Sequence, residues 1–540
     1  MSQTASVRAG GVGGVHASRL FKASCIGLIT GAAMFAIGAD IILALKQEFA
    51  LTNEQIGWMR SGGAVGFPLS MFVLGPLVDV LGMRRLIWFA VATHVLGVAL
   101  MISATAVPAF AFWMLFAGML VHAVGSGIIE AVCNPLIATI YPDAKTEKLN
   151  RFHMWFPGGI VLGGVACYIL SRTGIGFWQL KVAMVLAPTA VYLFLFVGQT
   201  CPPTERVRSG VSFGGMFRET LLRPLFLLLL VCMMLTASLE LGPNGWIPPV
   251  LEAGGVPGIL VLVWITGLMA VLRYYAGPVV RALTDTGVLL LSAIVGGIGL
   301  AMLSFASDIY LVAVAATVFA VGVCYFWPTM LGVVSERVPK GGALALGVIG
   351  GMGGLFVGFV TTPMMGRIAD VYLHRELVYQ GTVDGRSVDR AKETAAALQQ
   401  VETTYTAWAE SLGHTQADER RRGDVQTALR QVANILEGWE NSGALAERDT
   451  ATAFRIAIDS GPIGPADVAA SDAQRAALDA KQQATAILRP ADNKGGLMSF
   501  RYVAPLAVIL VVIFGVMFVQ DRRRARASPG ATNAPGKPGG

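Results

Sequence analysis

The stretch GSGIIEAVCNPL, residues 125–136, places one carboxylate, Glu130, inside an apolar run of helix length. Asp40, Glu240 and Arg273 lie in similarly apolar surroundings. An ionised side chain near the centre of a bilayer costs roughly 2.5–3.5 kcal/mol on insertion scales. The neutral acid escapes that cost, so a carboxyl there can load a proton and release it when water returns. A carboxylate held by a cation or bathed in solvent stays charged and carries no proton. On this reading Glu130 exchanges protons, and Asp40 faces it across the amino-terminal half. Asn134 lies one turn after Glu130 on the same face and can bind a hydroxyl or the carboxylate. Pro135 frees a backbone carbonyl, tolerable only beside a cavity or a neighbouring helix. Glu240 either binds substrate or pairs with Arg273 to hold two segments together.

Aromatic residues follow two logics. Trp113 and Trp178 fall at the ends of apolar segments and read as interfacial belt residues. Trp155, Trp246, Trp264, Tyr325 and Trp327 fall deeper or beside Pro and Gly. An indole can stack on an apolar C–H face of a bound solute whose hydroxyls need polar partners. Trp155 and Trp246 are the preferred stacking candidates, and His153 could bind a hydroxyl, titrate or be a satisfied buried histidine. His94 and His122 have no evident partner and read as structural.

The elements that must position these residues are membrane spans. The chain of 540 residues is 54% hydrophobic and only 14% charged, with a mean hydropathy of +0.62. A soluble protein carries about a quarter charged residues, and apolar blocks here reach the roughly 20 residues that cross a bilayer. Twelve spans are expected, centred in 23–45, 57–80, 86–105, 111–140, 153–171, 178–199, 224–249, 257–280, 287–305, 310–335, 342–368 and 501–520. The net charge of +7 arises from loop residues such as Arg84, Arg85, Lys145, Lys148, Arg206, Arg223, Arg337 and Arg522. That bias places both termini in the cytoplasm and argues against a nucleic-acid partner. The first apolar stretch is too long for a signal peptide and is read as retained. The six cysteines read as small core residues, since none has metal-ligand or disulfide spacing.

The expected fold is all-α and polytopic, with two six-helix bundles. The divisions are a disordered cytoplasmic segment 1–20, an amino-terminal bundle 21–200 and a cytoplasmic linker 201–223. Spans 7–11 follow in 224–371, a polar helical insert outside the cell in 372–500, span 12 in 501–520 and a disordered basic tail in 521–540. In DVQTALRQVANILEGW, Val425, Leu429, Val432, Leu436 and Trp439 share a helix face, with Asp424 as N-cap. GPLVDVLGMRR (75–85) and GPVVRALTDTG (277–287) stand six spans apart. That suggests two duplicated halves with one site between them at the bilayer midplane.

GPLVDVLGMRR resembles the loop motif of the major facilitator superfamily through Gly75, Leu77, Asp79, Gly82, Arg84 and Arg85. In that family the motif latches helix ends in the outward-facing state, and Asp79 could pair with Arg84 and accept from helix-terminal N–H groups. ADIILALKQEFALTNEQIG, GSGIIEAVCNPL, KLNRFHMWFPGG, LELGPNGW, VWITGLMAVLRY, FWPTMLG and TTPMMGRIAD are together similar to the fucose/galactose/glucose–proton symporter branch. The resemblance implies proton-linked carboxylates at Asp40 and Glu130. It also places Glu240, Trp246 and Arg273 on positions common among the branch's sugar porters, and the full set of candidate substrate-binding residues is Asn134, His153, Trp155, Glu240, Asn244, Trp246, Arg273 and Trp327. Departures from the branch stand at His153, where a glutamine is usual, and at Phe156, where an asparagine is.

The favoured function is therefore proton-coupled import of a monosaccharide by a monomer in the plasma (cell inner) membrane. No catalytic residue, metal or cofactor is expected. Glycine-rich IGGMGGLFVG lies inside a span without the Gly-Lys-Ser/Thr that cradles phosphate. The alternatives are a facilitator of a drug or organic acid and a non-transporting sensor that uses 372–500. An anion porter would want unpaired cations, and only Arg60, Arg273 and Lys181 are available.

Overall fold

The computed structural model describes residues 16–527 apart from 50, 52, 176, 384–385, 415, 444, 446–453, 456, 459 and 463–470. The amino-terminal half comprises span 1 (Ala17–Asp40), span 2 (Asn53–Leu74), span 3 (Met83–Ser103), span 4 (Ala111–Ile140) and span 5 (Trp155–Arg172). Span 6 is made of Trp178–Ala183 and Leu186–Phe196. A short helix, Lys145–His153, leads into span 5. The carboxy-terminal half comprises span 7 (Pro224–Ala253), span 8 (Gly258–Tyr274, bent by 65° into Ala276–Leu283) and span 9 (Asp285–Leu303). Span 10 runs through Ile309–Val323 and Phe326–Arg337, and span 11 through Gly342–Phe356 into Thr362–Leu377. Span 12 is Leu506–Ala527.

Among the described residues ten helices are long and apolar enough to cross a membrane, and the bent span 8 makes eleven. The expected twelfth, Asn53–Leu74, packs between its neighbours as a helix, but Arg60, Ser61, Pro68 and Ser70 dilute its hydropathy. Small residues set the helix crossings. A Cβ on Gly322 would fall 2.1 Å from the Gly296 nitrogen, so spans 10 and 9 meet backbone to backbone. A Cβ on Gly75 would fall 2.6 Å from the Gly347 Cα, which joins span 2 to span 11 across the two halves.

More bonds cross between the halves at this same end, where the basic loops lie. Lys145 Nζ donates to the Ser335 carbonyl at 3.2 Å and pairs with Glu205 at 2.7 Å. Arg281 meets Glu147 at 2.8 Å, and Asn150 Nδ2 donates to Thr329 Oγ1 at 3.2 Å. The Asp79 latch departs from expectation. Arg84 and Arg85 stand exposed beyond the turn at Gly82, whose φ is +83°. Asp79 instead takes Arg206 Nε at 2.6 Å and Thr204 Oγ1 at 2.8 Å, both from the linker, beside Gly342 at the start of span 11. The halves are thus shut at the basic-loop end.

The ends and the insert also differ in detail from the sequence reading. Residues 1–15 and 528–540 lie outside the described residues, but the helix begins at Ala17 and span 12 continues to Ala527. Arg19 secures the start by donating to the carbonyls of Leu195 and Phe194, both at 2.9 Å. Asp521 secures the other end by pairing with Arg337 at 2.5 Å. The insert opens with a hairpin, Gln380–Val383 paired to Arg386–Asp389 with Gln380 opposite Asp389, which periodicity did not indicate. Helices Arg390–Ser411, Gln416–Ser442 and Asp472–Val503 then build a separate apolar core. Val425, Val432 and Leu436 are buried there, with Leu429 and Trp439 against them. Asp424 is not a cap, because its helix begins at Gln416. Arg455 ties the insert to its base through Asp370 and Asp492. Burial disfavours the Arg455 charge, and the two aspartates more than offset this and raise its pKa.

Candidate functional site

Span 4 crosses span 1 in antiparallel fashion, with Ile129 against Gly27, Ser126 against Gly31 and Met119 against Gly38. This register fixes the depth of both candidate carboxylates. Glu130 lies beside the first of these contacts and Asp40 beyond the last. Met119 and Glu130 are separated by roughly 16 Å of helix at 1.5 Å per residue. Asp40 therefore does not face Glu130, contrary to the sequence reading. It stands at the insert end of its span and pairs with Lys181 Nζ at 2.5 Å, which also donates to Ser171 Oγ at 2.8 Å. Lys181 brings a positive charge from span 6 to that end of span 1.

Glu130 is 2% exposed, and its Oε2 has no hydrogen-bond partner. Asn134 and Trp327 are its polar neighbours, and Arg273 is the cation that acts on it. Asn134 Oδ1 meets His153 Nε2 at 3.0 Å, and the Asn134 amide lies against the Glu130 carboxyl. From the other half, Arg273 NH2 pairs with Glu240 Oε1 at 2.7 Å, and Glu240 Oε2 is unpartnered. Both members of that pair are nearly fully buried.

The remaining bonds of Arg273 show how the sequence builds this seat. Its Nε donates to the Cys324 carbonyl at 2.5 Å and its NH1 to the His153 carbonyl at 3.1 Å. In a regular helix those carbonyls would accept from the N–H groups four residues on, at positions 328 and 157. Both positions are proline, which has no N–H. Each half thus offers Arg273 one carbonyl that proline has freed. The sequence carried this signal in FWPTM and MWFPGG, but it could be read only by asking which carbonyls lose their donors.

The structure accordingly brings Glu130, Asn134, His153, Glu240, Arg273 and Trp327 into one buried cluster shared by the two halves. Asn244 lies one turn after Glu240, half-buried, with its Oδ1 unpartnered. Trp246 is half-buried over Gly366 of span 11, and Trp155 is half-buried at the start of span 5. Other aromatic assignments change. Trp264 is 54% exposed on the outer face and donates to Thr317 at 2.9 Å. Trp178 is buried and donates to Glu48 at 2.6 Å, which holds a bundle together rather than marking an interface. His94 does have partners, Tyr192 OH at 3.1 Å and Ser126 Oγ at 3.3 Å, and its ring lies 4.6 Å from that of His122.

Comparison with known proteins agrees with this architecture. The family model described as Major Facilitator Superfamily matches residues 23–373. A solved structure of the proton:xylose symporter XylE, bound to 6-bromo-6-deoxy-D-glucose, superposes with a TM-score of 0.56 at 14% identity. That match covers 66% of this chain and 90% of the other. The E. coli fucose:proton symporter FucP gives 0.54 at 16% identity, covering 65% and 92%. The human organic anion transporter MFSD10 gives 0.51 at 13%, covering 64% and 93%. A Bacillus subtilis (strain 168) protein, the uncharacterized MFS-type transporter YceJ, is 33% identical over 94 residues. Those residues are 15% of this chain and 22% of that protein's length. At these identities the structural matches speak to fold.

Proposed function

Because this chain belongs to the Major Facilitator Superfamily, we propose that it is a proton-coupled transporter of a small hydroxylated solute of the monosaccharide class. It works as a monomer in the plasma membrane with both termini in the cytoplasm. The observation that carries the reading is the set of unpaired polar atoms at the seam between the halves. Glu130 Oε2 and Glu240 Oε2 are acceptors, and the Asn134 amide beside Glu130 adds a donor. Buried polar atoms are otherwise almost always paired. Hydroxyl groups both donate and accept, so a polyol can satisfy this mixed set where an apolar drug cannot. A negatively charged solute is disfavoured, since the guanidinium of Arg273 already serves Glu240 and two carbonyls.

Charge balance assigns the proton. The cluster holds two carboxyls and one arginine, and ionising all three would leave a net negative charge buried without a counter-ion. Glu240 has its cation at hydrogen-bonding distance. Glu130 is then the carboxyl that is neutral when the site is shut and ionised when water enters. Asp40, held by Lys181, takes no part in loading. The expected route is a rocking of the halves about the midplane cluster, with the basic-loop end opening as Lys145, Glu147 and Asn150 leave their partners.

Uptake of a labelled sugar panel into vesicles under an imposed pH gradient tests this reading. Wild type should concentrate at least one sugar, and Glu130→Gln should only equilibrate it while still exchanging pre-loaded sugar. A panel in which no hydroxylated solute accumulates would remove the substrate assignment.

A further inference from the structure

The outward face of spans 9 and 10 carries an apolar groove next to the base of the insert. Ile298, Met302, Phe305, Leu311 and Ala315 line it. Ile298 is 52% exposed, Leu311 51% and Phe305 67%, so the groove opens toward the membrane and away from the transport seam. Its upper edge is capped by a cation from another element. Arg501, in the last turn of Asp472–Val503, lays its guanidinium 3.9 Å over the Phe305 ring and donates from NH2 to the Ser304 carbonyl at 3.2 Å. A guanidinium has five N–H donors, and among the described residues no carboxylate pairs with this one. Asp308, the acid nearest in sequence to the groove, spends Oδ1 on the N–H groups of Tyr310 and Leu311. The level is that of the membrane interface. Spans 9 and 10 turn there, Tyr310 is 82% exposed, and Tyr502 and Tyr372 join their hydroxyls at 2.8 Å.

We propose that this groove is a binding site for one membrane phospholipid of the leaflet that faces the insert. The phosphate diester docks on Arg501 and an acyl chain fills the groove between spans 9 and 10. A lone apolar groove would take any chain. The stacked arginine at its rim adds a charge-assisted contact in a setting of lowered dielectric. Arg501 sits where the insert passes into span 12, so the bound lipid also braces that junction. The site is distinct from the transport cluster and does not depend on the substrate assignment.

The test is native mass spectrometry of the full-length protein in detergent, titrated separately with phosphatidylglycerol, phosphatidylethanolamine and uncharged diacylglycerol. Wild type should retain one copy of either phospholipid more strongly than diacylglycerol. Arg501→Gln should weaken phospholipid retention about tenfold, the loss of one charge-assisted hydrogen bond, and leave diacylglycerol unchanged. Ala301→Phe, at a half-buried position of the groove wall, fills the groove and should displace all three. Preference for phosphatidylglycerol would make net negative charge the selected feature, and equal binding would make it the phosphate alone; both uphold the site. Unchanged phospholipid retention in Arg501→Gln, or diacylglycerol held as firmly as phospholipid by wild type, would overturn it. The melting temperature and size-exclusion profile of Arg501→Gln, measured in parallel, should match wild type and show that the variant is folded.

Discussion

Glu130 and Asp40 are carboxyl side chains of the same bundle, and the structure gives them opposite company. Asp40 stands at the end of span 1 with Lys181 at 2.5 Å and a third of its side chain exposed. Glu130 lies one bundle-half deeper with an unpartnered oxygen and is 2% exposed. Asp40 thus has a cation of its own. Glu130 sits where Arg273 already serves Glu240. The difference teaches that carboxylates in apolar runs are sorted by the counter-charges that other helices bring, which their own segments do not reveal.

The comparison can be broken first at the counter-ion. Arg273→Met should leave Glu240 buried without a partner and cost about 3–5 kcal/mol, read as a large fall in melting temperature of the purified protein. The double change Arg273→Met with Glu240→Met should regain most of that loss, which a purely steric role for Arg273 would not allow. Gly347→Leu comes next. It forces side-chain atoms into the contact with Gly75, costs the shut state about 1–3 kcal/mol, and should raise labelling of a cysteine placed at Thr329 from the basic-loop side. Asp40→Asn leaves the buried Lys181 ammonium without its counter-ion and should lower the melting temperature, by less than Arg273→Met because Asp40 itself is a third exposed, and should leave uphill uptake in place. If uphill uptake disappears in Asp40→Asn, Asp40 shares the proton work and the contrast drawn here fails. The smallest effect on transport is expected for Arg455→Met. It loosens the insert from Asp370 and Asp492, which faster hydrogen exchange in 472–495 should report, with uptake near wild type.

Much of the fold was legible because apolar blocks and basic loops are local properties. The expected span whose helix falls short of membrane-crossing hydropathy, Asn53–Leu74, is the one diluted by Arg60 and small polar residues. The hairpin at 380–389 was missed because its alternation is only four residues long on each side. In the site, residue types were legible and partners were not. Glu130, Asn134, His153, Glu240 and Arg273 could be named from their setting, and their meeting was an expectation of the resemblance. That Lys181 claims Asp40, that Arg206 claims Asp79, and that Trp178 turns inward to Glu48 are contacts between residues 127–141 positions apart or of like separation. No window along the chain holds both members of such a pair. Pro157 and Pro328 were the exception, since each marks a carbonyl without a helical donor.

The central claim is that Glu130 alone carries the proton. The direct measurement is substrate-driven proton entry into proteoliposomes that hold a pH-sensitive dye, using whichever sugar wild type accumulates. Addition of that sugar should acidify the lumen for wild type and for Asp40→Asn, and leave it unchanged for Glu130→Gln, although labelled sugar still exchanges in that variant. Acidification by Glu130→Gln at the wild-type rate would contradict the account.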